Sequence, residues 1–303
     1  SHLGVEELVR VTLGRVENKL VAVPLRRGAG VITTMVQADG LMRIPSLTEG
    51  INAGEEMEIE LLRPAEEIER AILCAGSHDL SIDILGNELK RRHPGFKVAA
   101  SNVGSMGALL SLQRREAHIG GTHLLDPETG NYNIPDIKRL IPNTPAVLVH
   151  LVRRQQGLLV QKGNPKKIGA LKDLARQDVT FVNRQSGSGT RVLLDYELHK
   201  LQLDPARIRG YEREEFTHMA VAVAVASGLA DVGLGVQSAA HALDLDFISV
   251  GEEQYDLLIL RSFYESDNGA KLMEVIRSPA FRQAVEALGG YDAGRSGEVI
   301  YRQ

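Results

Sequence analysis

The chain has 303 residues, which implies at least two compact units, and its 43% hydrophobic and 24% charged residues are those of a globular protein with a real core. A net charge of -4 and a pI near 6.2 leave no general basic field for nucleic acid, so any anion site has to be local. The single cysteine, Cys74, excludes an internal disulfide and a cysteine metal cluster, and no apolar run reaches the length of a membrane span.

The chain opens on Ser1-His2 without an initiator methionine, which points to a piece of something longer. No charged segment with an apolar signal core follows, and the expected compartment is the cytoplasm. Residues 5 to about 62 read as all-β. Val9–Leu13, Lys19–Val23 and Met57–Leu61 alternate like strands, turn residues separate them, and a helical patch is expected from Thr33 to Ala38. A small barrel is the expected result.

Pro64-Ala65-Glu66-Glu67 reads as a junction. Beyond it strands and helices alternate, which predicts an α/β domain with a largely parallel sheet. Strands are expected at Ile72–Ala75, Phe96–Ala100 and His118–Gly121, with helices at Leu80–Arg92 and Met106–Arg115. An extended run from Ala146 to Arg153 leads to Gly157–Val160, and a helix follows at Gly169–Arg176. Later elements are helices to Leu201, at Thr217–Ser227 and at Gln237–Leu243, with strands at Asp231–Leu234, Asp246–Val250 and Tyr255–Leu260, and helices from Ala270 to Leu288. The run Met219 to Ala226 alternates as a strand would, but Thr217 as a cap and Gly228 as a stop favour a helix.

The stretch with the most chemistry is Asn183-Arg184-Gln185-Ser186-Gly187-Ser188-Gly189-Thr190-Arg191, between the apolar run Val179–Val182 and a helix. A glycine-rich turn into a helix N-terminus offers unpaired N–H groups and the positive end of the helix dipole to an anion. Ser186, Ser188 and Thr190 add hydroxyls, Arg184 and Arg191 add guanidinium forks, and Gly187 and Gly189 allow close approach. The plain alternative is a Ser188 cap and an ordinary turn. Three other strand-to-helix turns have similar chemistry, around Ser77-His78-Asp79, Gly104-Ser105 and Thr122-His123. In an open α/β sheet such loops converge on one crevice, which makes Ser77, His78, Gly104, Ser105 and Thr122 candidates as well. His78 and Asp79 also read as ordinary first-turn and cap residues. Thr217 and His218 present a further helix start, and Gly235 is a weaker candidate. The loop Thr122 to Asn133 reads as a lid over the cleft or as a surface loop. His118 reads as structural.

Arg10-Val11-Thr12-Leu13, Val23-Pro24-Leu25 with Gly28 to Thr33, Ala38-Asp39-Gly40-Leu41, Ile44-Pro45 and Gly50 to Glu55 occur in an order that resembles the C-terminal β-barrel domain of MoeA-type molybdopterin molybdotransferases. It covers about a fifth of the chain, and that family's pterin and metal chemistry lies in other domains, so its catalysis is not carried over. Residues Glu69 to Tyr301 resemble the two-lobed periplasmic binding proteins for molybdate and tungstate. The resemblance lies in Gly76-Ser77-His78-Asp79, Val103-Gly104-Ser105-Met106-Gly107 and the Asn183 to Arg191 stretch. It implies an α/β two-lobed periplasmic-binding-protein-like fold preceded by a small all-β barrel domain. The expected boundaries are 3–63 for the barrel, 69–153 with 254–303 for lobe one, and 156–251 for lobe two.

The resemblance further implies a molybdate or tungstate ligand in the interlobe cleft, within a molybdenum cofactor biosynthesis protein. The alternative is a regulatory effector domain for a small organic or phosphorylated, pterin-like ligand. Aromatic residues are only 4% and tryptophan is absent, which favours the small anion over a stacked pterin, while two arginines favour a more highly charged ligand. No nucleophile, base and orienting acid stand at recognisable spacing, and no histidine pair has metal-ligand spacing on one helix, so neither catalytic residues, a catalytic cofactor nor a bare metal ion is expected here. Whether the full-length protein is an enzyme stays open. Expected partners are the anion, upstream molybdotransferase domains of the same chain and a second copy in a homodimer, with no nucleic acid or membrane.

Overall fold

The computed structural model describes residues 4–25, 36, 38–48, 50–126 and 129–303. The expected turn at Gly28 and most of the expected Thr33–Ala38 helix lie outside these residues.

The N-terminal region is a four-stranded antiparallel sheet with the order β2 (Lys19–Pro24), β1 (Glu7–Val16), β3 (Gly40–Ile44), β4 (Ile59–Leu61). Alternation along β1 and β3 puts Val9, Val11, Leu13, Met42 and Ile44 into a small core with Ile68. The same strand docks the sheet on the rest of the chain. Val16 belongs to the main core, and buried Asp39 accepts from Leu13 N at 2.9 Å while pairing with Lys97 beyond the junction. His118 links the two units as well, with Nδ1 2.9 Å from Leu73 N and Nε2 2.8 Å from Arg15 O, which fits its structural reading.

The larger unit is a ten-stranded mixed sheet traversed by two long strands, β8 (Ala146–Val160) and β12 (Asp246–Leu260). These pair antiparallel through both lobes, with irregularities at Ser249/Gly251 and Tyr255/Asp256. The sequence reading broke each into two pieces because polar residues interrupt the apolar runs. Those residues face partners across the ladder, so neither strand ends there. On one side of the crossing, β5 (Ala71–Gly76) pairs parallel with β6 (Lys97–Asn102) and β7 (Ile119–Thr122). A short helix α1 (Ala65–Ile68) precedes β5, and helices α2 (Leu80–Arg92) and α3 (Gly104–Gln113) follow the carboxyl ends of β5 and β6. On the other side β9 (Phe181–Arg184) pairs parallel with β10 (Glu214–Glu215) and β11 (Val232–Val236), and α5 (Gly189–Lys200) follows β9. The intervening α4 is Ile134–Leu140.

The main core lies on the first side, around Leu85, Leu89, Leu109, Leu112, Val147 and Leu258, all fully buried. Each such side chain contributes about 1.5–3 kcal/mol. A second core around Leu158, Phe181, Leu194 and Val232 fills the other lobe. The alternating run after Thr217 is helix α6 (His218–Ala226), capped by Thr217 Oγ1 accepting from Ala220 N at 3.0 Å. The expected helix at Gly169–Arg176 is a short 3₁₀ turn, Leu171–Ala175. The chain closes with α9 (Asp267–Ile276), α10 (Pro279–Glu286) and two short strands on β8 that the sequence did not reveal, β13 (Tyr291–Asp292) and β14 (Val299–Arg302). Between β11 and β12 stands α7 (Gln237–Ala242), and α8 (Arg261–Tyr264) follows β12. Among the described residues no helix is long and apolar enough to cross a membrane.

Candidate ligand-binding cleft

The carboxyl ends of β5, β6 and β9 and the N-termini of α2, α3, α5 and α6 open onto one cleft between the lobes. The turn after β5 requires a glycine. Gly76 has φ +140°, and a Cβ there would stand 2.4 Å from Gly121 O. This bend carries Ser77 into the cleft wall.

Three hydroxyls in the wall already accept from backbone N–H groups. Ser105 Oγ accepts from His123 N at 3.1 Å, Ser188 Oγ from Arg191 N at 3.2 Å, and Thr217 Oγ1 from Ala220 N. Each keeps its own proton for a ligand. Arg184, only 8% exposed, donates from Nε to Glu215 O and from Nη2 to Phe216 O, while its buried Nη1 has no protein partner. Burial, reinforced by the charge of Arg154, lowers its pKa to about 10. His218 Nδ1 lines the same cleft, buried and without a partner among the described residues, and Ser238 Oγ lies there within reach of the Tyr291 hydroxyl. Burial first, then Arg184 and Arg154, push the His218 imidazole well below the usual range, so it is neutral. Native proteins leave few buried polar atoms unpaired, and two in one cleft mark a place for a ligand.

Behind the wall lies an ionic cluster. Glu253 and Arg154 are register partners on β12 and β8, with Arg154 Nε 2.6 Å from Glu253 Oε2. Arg154 Nη1 also reaches Asp79, which caps α2 and accepts from Tyr291 OH at 2.8 Å. Gln156 Nε2 donates to Glu253 at 2.7 Å and lies 3.2 Å from Thr190 Oγ1. Burial, the largest influence, would raise both carboxyls, but Arg154 together with the hydrogen bonds from Ser81 and Tyr291 to Asp79 and from His123 and Gln156 to Glu253 outweighs it and holds both below the ordinary carboxylate range. From Glu253 a chain runs outward: Oε1 lies 2.7 Å from His123 Nδ1, and His123 Nε2 lies 2.8 Å from Ser77 Oγ. The sequence offered no such serine, imidazole and carboxylate set because its members stand 46 and 130 residues apart. This connectivity serves nucleophilic catalysis in hydrolases, and equally fixes which way a serine hydroxyl points.

Most sequence candidates meet at the cleft: Ser77, His78, Gly104, Ser105, Arg184, Ser186, Gly187, Ser188, Gly189, Thr190, Thr217 and His218 line it. His78 is exposed and held by Asp83 at 3.1 Å, which raises its pKa. Thr122 and Arg191 are directed elsewhere. Thr122 is fully buried and bonds Asn133 Oδ1 at 3.0 Å, because its strand position turns it away from the crevice. Arg191 sits one helical turn from Asp195, 3.2 Å away, bonds Glu214 and stacks on Tyr211 at 4.0 Å. Gly235 faces Leu159 and His218 from β11. The loop that reads as a lid or a surface loop is anchored at its two ends, since Asn133 Nδ2 donates to Asp256 at 2.7 Å and His123 points inward. Sequence reasoning read Asp79 as a helix cap, which it is, but passed over its ion pair and over Arg154, Gln156, Ser238 and Glu253. The available signal was charge within otherwise buried crossing strands.

Gly189 is positioned by contact. A Cβ there would stand 2.2 Å from His123 Nδ1 and 3.2 Å from Glu253 Oε1. Gly189→Ala is expected to displace the His123 ring and to cost about 1–3 kcal/mol of stability. Thermal melting with the ¹⁵N spectrum of the histidines checks both effects.

A family model for the PBP superfamily domain matches residues 86–277, and one for the MoeA C-terminal region, domain IV, matches residues 1–62. The Bacillus subtilis (strain 168) protein YvgK is 38% identical over 239 residues, 79% of this chain and 77% of its own length. A Clostridium pasteurianum protein from the 5′ region of a 2Fe-2S ferredoxin gene is 37% identical over 110 residues, 36% of this chain and 97% of its own. Among solved structures, the fold is shared with the substrate-binding domain of a protein described as a molybdenum ABC transporter from Clostridium difficile. That match has a TM-score of 0.53 and 15% identity, covering 73% of this chain and 98% of the other. A protein described as a phosphate ABC transporter substrate-binding protein, with bound phosphate, from Clostridium perfringens gives 0.53 and 12%, covering 72% and 97%. The effector-binding domain of QuiR in complex with shikimate gives 0.52 and 14%, covering 71% and 97%.

Proposed function

Since this chain belongs to the PBP superfamily-domain family and carries a MoeA C-terminal region ahead of that domain, we propose that it captures a small oxyanion, molybdate or tungstate, between its lobes for molybdenum cofactor synthesis. The observation that carries the reading is Arg184 Nη1 and His218 Nδ1, unpartnered among the described residues and buried in one cleft beside three hydroxyls with protons to give. Donors converging from several helix starts suit a tetrahedral oxyanion, and the Arg184 guanidinium adds a charged donor. The cytoplasmic location, the upstream transferase domains in the same full-length chain, a homodimer and the division into 3–63, 69–153 with 254–303, and 156–251 belong to this proposal.

A second reading has its own observation. Val103, Met106, Phe216 and Met219 line the cleft and are exposed, Phe216 by 71%. An apolar rim around a polar pit suits an organic molecule bearing an anionic group, as an effector would.

A thermal-unfolding panel with molybdate, tungstate, sulfate, phosphate and no addition separates the two. An anion at about 100 times its dissociation constant stabilises the fold by about 2.7 kcal/mol, a rise of about 5–10 °C for a unit of this size. A rise with molybdate and tungstate supports capture of the metal oxyanion. A flat panel, with a rise only for phosphorylated or hydroxylated organic acids, moves the assignment to the effector reading.

A further inference from the structure

His123 joins two groups of opposite hydrogen-bonding habit. Glu253 is ionised and its second oxygen is already occupied by Arg154 and Gln156, so Oε1 accepts and His123 Nδ1 carries the proton donated to it. Nε2 then has two states. In the neutral ring it accepts the Ser77 hydroxyl proton, which leaves Ser77 Oγ lone pairs facing the cleft. In the imidazolium it donates to Ser77 Oγ at the same 2.8 Å, which releases the hydroxyl proton toward a ligand. The Ser77 carbonyl is held by Tyr255 OH, so the turn stays fixed and only the hydroxyl proton changes direction.

We infer that His123 couples anion capture to proton uptake. The cleft offers Ser77 as a donor to an oxygen without a proton only after His123 has taken one up. To a ligand that brings its own hydroxyl it offers Ser77 as an acceptor and takes up nothing. The inference rests on the anion-capture reading and adds a selection rule to it. What separates the two kinds of anion is the direction of the Ser77 hydroxyl and not charge, since the ionised groups Asp79, Glu253, Arg154 and Arg184 cancel and molybdate and hydrogen phosphate are both dianions at pH 8. The groups around the ring are Glu253 and Tyr255 from β12, the latter stacked at 5.8 Å, Arg154 from β8, Arg184 from β9, His218 from α6, Asp79 and Tyr291 at the cluster's far end, and Tyr132 beside Glu253.

The test is isothermal titration calorimetry of the whole chain with molybdate and, separately, with phosphate at pH 8, in two buffers of different ionisation enthalpy. Molybdate, which carries no proton at that pH, should bind with uptake approaching one proton per site. Its affinity should fall as pH rises, because the uptake becomes harder to supply. Hydrogen phosphate should bind with little or no uptake. His123→Gln, checked for an unchanged fold by circular dichroism, should abolish the uptake and flatten the pH profile. Ser77→Ala should remove the uptake on molybdate binding, an outcome that a merely structural histidine would not give. Molybdate binding with no proton exchange, or uptake that persists in His123→Gln, overturns the coupling and leaves anion capture intact. Absence of binding by either anion overturns both.

Discussion

Arg184→Met should weaken anion binding by about 30- to 4,000-fold, the result of removing about 2–5 kcal/mol of buried charge contact, while leaving the melting temperature of the ligand-free protein unchanged or higher. The two expectations come from one fact. Arg184 is buried, is opposed by the charge of Arg154 more than it is relieved by Glu253, and has a buried Nη1 with no partner among the described residues. Its pKa is pulled down to about 10 by burial and then by Arg154, so the charged form is disfavoured in the fold although it persists at neutral pH. A charge with that standing costs stability in the empty protein and recovers it when an anion arrives. Methionine keeps the apolar stem and removes the charge. The donations to Gln185 Oε1, Glu215 O and Phe216 O are lost and offset part of the gain. Differential scanning fluorimetry of the ligand-free variant with calorimetric titration of molybdate and phosphate checks both halves. A variant that melts much lower and binds normally would make Arg184 a structural residue.

What the sequence made legible was local. Helix Leu80–Arg92 and the cap at Thr217 were readable because a cap, an apolar face and a stop lie within one short stretch. The cleft candidates were readable for the same reason, since each sits in a turn directly after a strand. The ionic cluster was not. Arg154 meets Glu253 across 99 residues and Asp79 across 75, and no periodicity records such a pairing. The polar residues that make it also split β8 and β12 into apparent fragments. Arg191 was misdirected for a different reason. Its residue type suits an anion, but its helical position sets it over Tyr211 and beside Asp195 and Glu214. Residue type chose the candidates, and direction along the element decided which of them face the cleft.

Arg154→Ala should lower stability by about 3–5 kcal/mol at neutral pH, the range for leaving buried charges without their partner. Asp79 and Glu253 would then lie side by side in the interior with only Gln156, Ser81, Tyr291 and His123 to hydrogen-bond them. In a unit of this size the loss is a fall of about 6–20 °C in melting temperature. The pH dependence separates this cause from simple loss of packing. In the native protein both carboxyls are held below their ordinary range, so their contribution is present above the unfolded pKa, near pH 4 for a free carboxyl, and is lost as pH falls through the folded values. Without Arg154 the remaining hydrogen bonds do not offset burial, the largest influence on each, and the folded pKa values move above the unfolded ones. That variant loses stability as pH rises through about 4. The gap between the two proteins should therefore be widest near neutrality and should narrow as pH falls below about 5. Urea unfolding at a series of pH values measures it, and a gap that stays constant with pH would assign the loss to the cavity left by the side chain. Because β8 and β12 are also the strands that join the lobes, the Arg154–Glu253 pair ties the charge balance of the cleft to the segment about which such lobes close.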